Sequence, residues 1–245
     1  MTFINKLIFL LIVLVILLFF NKNIVNSQKF EAFENKNKLK CIYMWGMKPD
    51  EKNSCPMELV NKNKKYFNYE IIGRNEIEIL VDKYPNPKLK KIWNDIPKWI
   101  IQADLGRLLY VYYYGNFYFD IDCEIFKDFS KSIKKNTILF IEHENINPDV
   151  LGEREDKNMT TRIANYAFGS TIKENPFFRE CIELCIKRLE IFKNEGKNKN
   201  NISDTDVIWV CGPDVITTVY YNFKKDNIKL FKNDYLRNKN FGTWR

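Results

Sequence analysis

The stretch YYYGNFYFDIDCEIF, residues 112–126, decides how this chain is read. A run of aromatic residues ends in two aspartates one residue apart, Asp120 and Asp122. The run has the composition of a buried strand, expected over Phe117–Asp122. In an extended strand, side chains at i and i+2 share a face, so Asp120 and Asp122 would point one way and Ile121 the other. Burying carboxylates is costly unless something positive meets them. Two like charges that close also raise each other's pKa. A divalent cation removes both problems. Mg²⁺ or Mn²⁺ takes hard oxygen ligands and commonly holds few protein carboxylates while a bound diphosphate supplies further oxygens. Asp120 and Asp122 are therefore the expected metal ligands and catalytic pair, serving a phosphorylated ligand.

Working outward, KWIIQADLGRLLYVYYY lies between Pro97 and Gly115 and predicts a helix of about four to five turns. Asp104 and Arg107, three residues apart, share one face of it. The helix runs into the strand through Gly115, so that face is expected to line the same cleft. Strands are expected at 39–46, 69–72, 137–144 and 228–231. Helices are expected at 75–84, closed by Pro85 and Pro87, and at 177–192 after Pro176. Two short helices broken at Gly212 and Pro213 complete the set over 206–223. Strands alternating with helices, without internal repeats, predict one α/β domain with a mainly parallel central sheet.

The chain has 245 residues, 45% hydrophobic and 15% aromatic, enough for a substantial core. Nine glycines and eight prolines are too few for a linker-rich or disordered protein. The formal net charge of +8 comes from lysines spread along the whole chain, which reads as a solvated surface rather than a binding arm. No zinc-finger, RNA-binding or helix-turn-helix signature is present, and no nucleic-acid partner is expected.

The N-terminus carries LIFLLIVLVILLFF, Leu7–Phe20, without a polar residue. Extended to Phe3 it would span roughly 27 Å as a helix, close to a bilayer's apolar thickness. Two readings stay open for residues 1–22: a signal anchor, or a signal peptide cleaved near 25–27. A polar stem over 23–38 and a catalytic domain over 39–245 follow. Either reading sends that domain to a luminal or outer compartment, single-pass and membrane-bound through residues 3–20, or secreted. Asn158 and Asn201 are glycosylation acceptors in that case. The six cysteines lack metal-ligand spacing and do not resemble a small disulfide scaffold. Cys181 and Cys185 share a helix face and read as core.

QADLGRLLYVYYYGNFYFDIDCEIFKDF resembles the signature of the DxD-containing sugar transferases of glycosyltransferase family 32. That group includes Golgi-type α-1,6-mannosyltransferases and is related to the large bacterial glucosylating toxins. The matching positions are Ala103, Asp104, Arg107, Leu109, Tyr110, Gly115, Tyr118, Asp120 and Asp122. Asn116 stands where a second glycine is usual, and Asn tolerates the left-handed backbone better than most residues. Further pieces of the likeness fall on Trp45 in CIYMWG, Asn165 in RIANYAFGSTIKENPFF, Gly212 and Pro213 in CGPDVIT, and Thr243 and Trp244 in GTW.

The resemblance implies a GT-A-type fold and a metal-dependent, retaining transfer of a hexose. The donor would be a UDP- or GDP-sugar and the acceptor a glycan, lipid or protein, in a Golgi- or ER-type lumen. Mn²⁺ or Mg²⁺ would be held by Asp120 and Asp122. Trp45 would stack on the nucleobase and Asp104 would accept from ribose hydroxyls. Arg107 would add positive charge or brace the cleft. Tyr118 would be among the nucleotide-sugar-binding residues and Asn165 would lie near the sugar site, with Thr243 and Trp244 near the metal and diphosphate.

Many relatives have a histidine shortly before the terminal tryptophan; here the sole histidine is His143, read as solvated or structural, and two readings of the vacant place stay open: Asn238 or Asn240 fills it, or the metal relies on water there. That departure keeps a rival reading open, a membrane-tethered carbohydrate-binding protein without catalysis. A second rival, an aspartyl-nucleophile phosphohydrolase, also follows an apolar strand with DxD. It usually places Thr or Val where this chain has Glu124.

Overall fold

Alternation along the strands sorts the core into two layers. Ile42, Tyr118 and Leu139 face one hydrophobic cluster, while their neighbours Cys41, Tyr43, Phe117, Phe119, Ile138 and Phe140 face another. This period of two is what a sheet covered on both sides requires. The computed structural model describes residues 38–49, 51–146 and 158–239. The apolar segment 3–20, the stem up to residue 37, and Thr243 and Trp244 lie outside the described residues. Among those described, no helix is long and apolar enough to cross a membrane.

The chain runs β1 (Leu39–Met44), α1 (Met57–Asn63), β2 (Phe67–Ile72), α2 (Arg74–Lys83), α3 (Pro87–Trp93) and α4 (Trp99–Tyr114). It continues through β3 (Asn116–Phe119), β4 (Cys123–Ile125), β5 (Thr137–His143), β6 (Arg162–Ser170) and α5 (Pro176–Asn194). Helices α6 (Asp204–Val210) and α7 (Pro213–Asn222) and strands β7 (Ile228–Phe231) and β8 (Leu236–Asn238) complete it. Six strands form one sheet in the order β2-β1-β3-β6-β5-β7. β1 is parallel to β2 and β3, and β5 to β7, whereas β6 is antiparallel to both its neighbours. Five of the six strands thus share a direction, so the sheet is mostly parallel, as expected of this α/β order. β4 and β8 form a separate antiparallel ribbon.

Helix α4 is apolar around most of its circumference and is buried along nearly its whole length. It ends at Gly115, where φ is +68°, and a Cβ there would sit 3.2 Å from the carbonyl oxygens of Ser170 and Ile172. Asn116 follows with φ at +67°. Two successive left-handed residues fold the helix back onto β3, and Asn is the side chain that bears this conformation at least cost after glycine.

Some expectations need correction. Strand β3 stops at Phe119, and Asp120 is not inside it. The Cys123 N–H donates to the Asp120 carbonyl at 2.9 Å, closing a turn over 120–123. Asp120 and Asp122 are therefore presented by a turn, and the i, i+2 argument for a strand does not apply to them. Pro87 opens α3 rather than merely closing α2; the Asn86 side chain accepts from the Lys88 N–H at 3.1 Å, capping the new helix. Strand β6 was not anticipated. It is buried on both faces, so its sequence shows no alternation. All six cysteines are free, and Cys181 and Cys185 are buried core residues.

Candidate functional site

In an open α/β sheet, ligands bind beyond the carboxyl ends of the strands, where the chain switches direction across the sheet. Here β1 lies between β2 and β3: the chain leaves β1 to one side for β2 and returns on the other for β3. The crevice between the carboxyl ends of β1 and β3 is that switch point. Trp45 follows β1 and Asp120 follows β3. Trp45 is half-buried, and its indole N–H donates to the Asn53 carbonyl at 3.1 Å. Because β6 runs backwards, its amino end, with Arg162 and Asn165, reaches the same edge. Glu142, near the carboxyl end of β5, stands next to it.

Arg107 is the centre of the site. Its Nη1 donates to Asp120 Oδ1 at 2.9 Å and to the Asn165 carbonyl at 2.7 Å. Its Nη2 donates to Asp104 Oδ1, one helical turn back on α4. Asn165 Nδ2 donates to that same Asp104 oxygen at 3.2 Å. The Tyr118 hydroxyl donates to Asp120 Oδ1, and the guanidinium lies over the Tyr118 ring at 4.9 Å. The cation that meets Asp120 from within the fold is thus a buried arginine thirteen residues earlier. The Arg107 and Asp104 side chains are each only 6% exposed, against 27% for Asp120.

Burial pushes the Asp104 carboxyl up, to about 7, although Arg107 and Asn165 pull it down. Burial works against the charged guanidinium of Arg107, but Asp104, Tyr118 and Asp120 outweigh it and its pKa rises. The Tyr118 hydroxyl is also raised, first by burial, and stays a proton donor.

Asp104, Arg107, Asp120 and Asn165 line a cavity of about 270 Å³ together with Ile100, Glu142, Arg162, Tyr166, Val207, Ile208, Pro213 and Asn238. Of the expected site residues, the fold brings Asp104, Arg107, Tyr118, Asp120 and Asn165 into one network, and Pro213 supplies part of the apolar wall. Tyr118 is buried behind Asp120 and braces it. Trp45 stands at the same sheet edge. Asp122 is buried in the turn and does not line the cavity; its carbonyl accepts from the Lys239 N–H at 3.0 Å. The His143 ring is 65% exposed and 3.8 Å from Glu142, in keeping with a solvated role.

The acidic turn suits a hard cation. Asp120 Oδ1 is engaged by Arg107 and Tyr118, while Oδ2 accepts no hydrogen bond among the described residues. No group of three or more His, Cys, Asp or Glu side chains among the described residues is placed to hold a metal ion. A cation at this turn would therefore take few ligands from the protein and the rest from phosphate and water, which is how Mg²⁺ and Mn²⁺ are usually bound beside nucleotides.

Glu142, Arg162 and Tyr166 were not singled out from the sequence. Arg162 Nη2 meets Asp214 Oδ1 at 3.0 Å, and its Nε faces Glu142 Oε2 at 3.6 Å. Burial raises the Glu142 carboxyl, with Arg162 opposing. Asn63 was missed too. It is buried; its Nδ2 donates to the Tyr43 hydroxyl at 3.0 Å and the Cys123 carbonyl at 2.8 Å, and its Oδ1 accepts from the Ile125 N–H at 3.0 Å. It fastens the segment directly after the acidic turn. A lone Asn in a polar helix gives no such signal.

Residues 27–140 match the family model described as a glycosyltransferase sugar-binding region containing a DXD motif. That stretch ends in β5 and includes α4, the left-handed junction and the acidic turn. The match supports a glycosyltransferase-type, sugar-binding domain and sugar transfer as its general chemistry. Among solved structures, a chain titled PaToxG glycosyltransferase is similar, with a TM-score of 0.47 and 19% identity. The similarity covers 76% of this chain and 69% of that one. No curated protein matches the sequence.

Proposed function

We propose that the protein is a metal-dependent retaining glycosyltransferase that moves a hexose from a nucleotide-diphosphate sugar to a glycan, lipid or protein acceptor. The observation that carries this reading is the Asp104–Arg107–Asp120–Asn165 network at the switch point, with one Asp120 oxygen left open beside a buried guanidinium. The nucleobase packs against Trp45 and the diphosphate lies along the turn 120–122. Arg107 holds Asp120 in place, Asp104 accepts from the ribose hydroxyls, and the sugar sits against Asn165. Thr243 and Trp244 are assigned to diphosphate binding by the sequence resemblance alone. Asp120, with Asp122 two residues on in the same turn, would hold Mn²⁺ or Mg²⁺, which would supply Lewis-acid stabilisation of the departing diphosphate. The chain's own part is orientation: Arg107 and Tyr118 hold the Asp120 carboxylate, and the walls of the cavity position the ring. The N-terminal segment 3–20 serves either as the membrane anchor of a luminal domain or as a signal peptide that is removed.

Calorimetry tests this with UDP-glucose, UDP-galactose, UDP-GlcNAc and GDP-mannose, each with and without MnCl₂. At least one is expected to bind more tightly with metal and to release sugar slowly, and Asp120→Asn should abolish the metal effect. Metal-dependent binding without any turnover would instead support a carbohydrate-binding role. No metal effect on any of the four overturns the proposal.

A further inference from the structure

Among the described residues, six buried side-chain polar atoms have no hydrogen-bond partner, and four of them belong to residues lining this one cavity: Arg107 Nε, Glu142 Oε2, Arg162 Nε and Asn165 Oδ1. Buried polar groups are almost always paired, so such a concentration asks for an explanation. Glu142 is the sharpest case. Its side chain is about three-quarters buried, yet among the described residues neither carboxylate oxygen accepts a hydrogen bond. Oε2 is enclosed 3.6 Å from Arg162 Nε, and Oε1 is 3.8 Å from His143. Its nearest cation, Arg162, is itself held by Asp214.

We propose that Glu142, with Arg162 beside it, accepts a hydroxyl of the transferred sugar on the side of the ring away from the diphosphate, and so sets which sugar is taken. This rests on the nucleotide-sugar reading above. Three observations place the hydroxyl. Across the carboxyl edge the order is β1, β3, β6, β5, which puts Trp45, Asp120, Arg162 with Asn165, and Glu142 in sequence. Glu142 is two strands from Asp120, roughly 10 Å at ordinary strand spacing, the reach of a phosphate oxygen plus one sugar ring. The cavity of about 270 Å³ is at the small end for ligands and is lined by both residues, so its size suits a single sugar ring. A hydroxyl donating to Glu142 and accepting from Arg162 uses both charges at once, and such charge-assisted bonds discriminate strongly against a ligand that lacks the group.

The test uses the full chain and whichever of the four sugar nucleotides binds, together with its 4-deoxy and 6-deoxy analogues and the free nucleoside diphosphate. Calorimetry on the wild type should show one analogue binding roughly 10- to 100-fold more weakly than the parent. In Glu142→Leu the parent should weaken by a similar factor and the parent-to-analogue ratio should fall to about one. Affinity for the free nucleoside diphosphate should not change. Glu142→Gln keeps the side-chain volume and should lower the ratio part-way, which preserves the test if the leucine variant does not fold. A wild type that treats parent and analogues alike, or variants that keep the full ratio, overturn the inference while leaving the functional reading intact. If none of the four sugar nucleotides binds, that reading fails and the role of Glu142 fails with it.

Discussion

Replacing Arg107 by methionine removes the one charge that Asp104 and Asp120 share, and keeps a flexible apolar side chain in its place. The wild-type guanidinium is buried, bonded to two carboxylates and one carbonyl, and stacked on Tyr118. Breaking a buried pair from one side typically costs about 3–5 kcal/mol, because the remaining charge stays in the low-dielectric interior. For a domain of this size, where each kcal/mol lowers Tm by about 2–4 °C, the expected fall is roughly 6–20 °C.

Asp104 should carry most of that cost, since Asp120 is open enough for water to reach it. The double variant Arg107→Met/Asp104→Asn should therefore recover a large part of the loss. A pH dependence follows with a definite sign. Burial already lifts Asp104 to about 7, and losing Arg107 lifts it further. Between the ordinary carboxylate range and that raised value, the folded state binds more protons than the unfolded one. Stability of Arg107→Met should then fall as pH rises from 5 to 8, and the asparagine double variant should not share that slope. Thermal unfolding of the three proteins at both pH values checks this. An Arg107→Met protein with wild-type Tm, or one that the second substitution fails to rescue, refutes the reasoning.

Two further predictions concern the frame around the turn. Asn63→Ala leaves the Cys123 carbonyl and the Ile125 N–H without their partner, and should cost about 2–4 kcal/mol in a denaturant titration. It should also weaken the metal-dependent gain in sugar-nucleotide affinity, because β4 fixes the far end of the acidic turn. Gly169→Ala would place a Cβ 2.4 Å from the Phe117 ring, inside the packed aromatic cluster of Phe67, Phe117, Phe119 and Phe129. Overpacking of this kind costs about 1–3 kcal/mol; an unchanged denaturation midpoint would show that the ring can move aside.

Elements with strong punctuation were legible in the sequence. Gly115 marks the end of α4, Pro176 opens α5, and Gly212–Pro213 divides α6 from α7, because each residue imposes a backbone condition on its own. The i, i+3 spacing of Asp104 and Arg107 put them on one helix face, and the structure keeps them paired. Their meeting with Asp120 was not legible. It depends on the reversal at Gly115–Asn116 and on β6 entering between β3 and β5, and β6 leaves no periodic trace because both its faces are buried. The same blindness hid Glu142 and Arg162: one closes a strand and the other opens its antiparallel neighbour, and only sheet order makes them adjacent. The two aspartates were recognised by type and spacing, but their presentation on a turn follows from the Asp120–Cys123 bond, which composition does not announce.

The Gly115–Asn116 reversal has a bearing on how this site can change over time. Because the helix and the strand it joins grip each other through Arg107 and Asp120, one extra or missing residue at that corner would rotate one partner against the other and part the pair. Point substitutions can drift through the walls of the cavity one side chain at a time. The corner's length should stay fixed among functional descendants, with insertions and deletions collecting elsewhere.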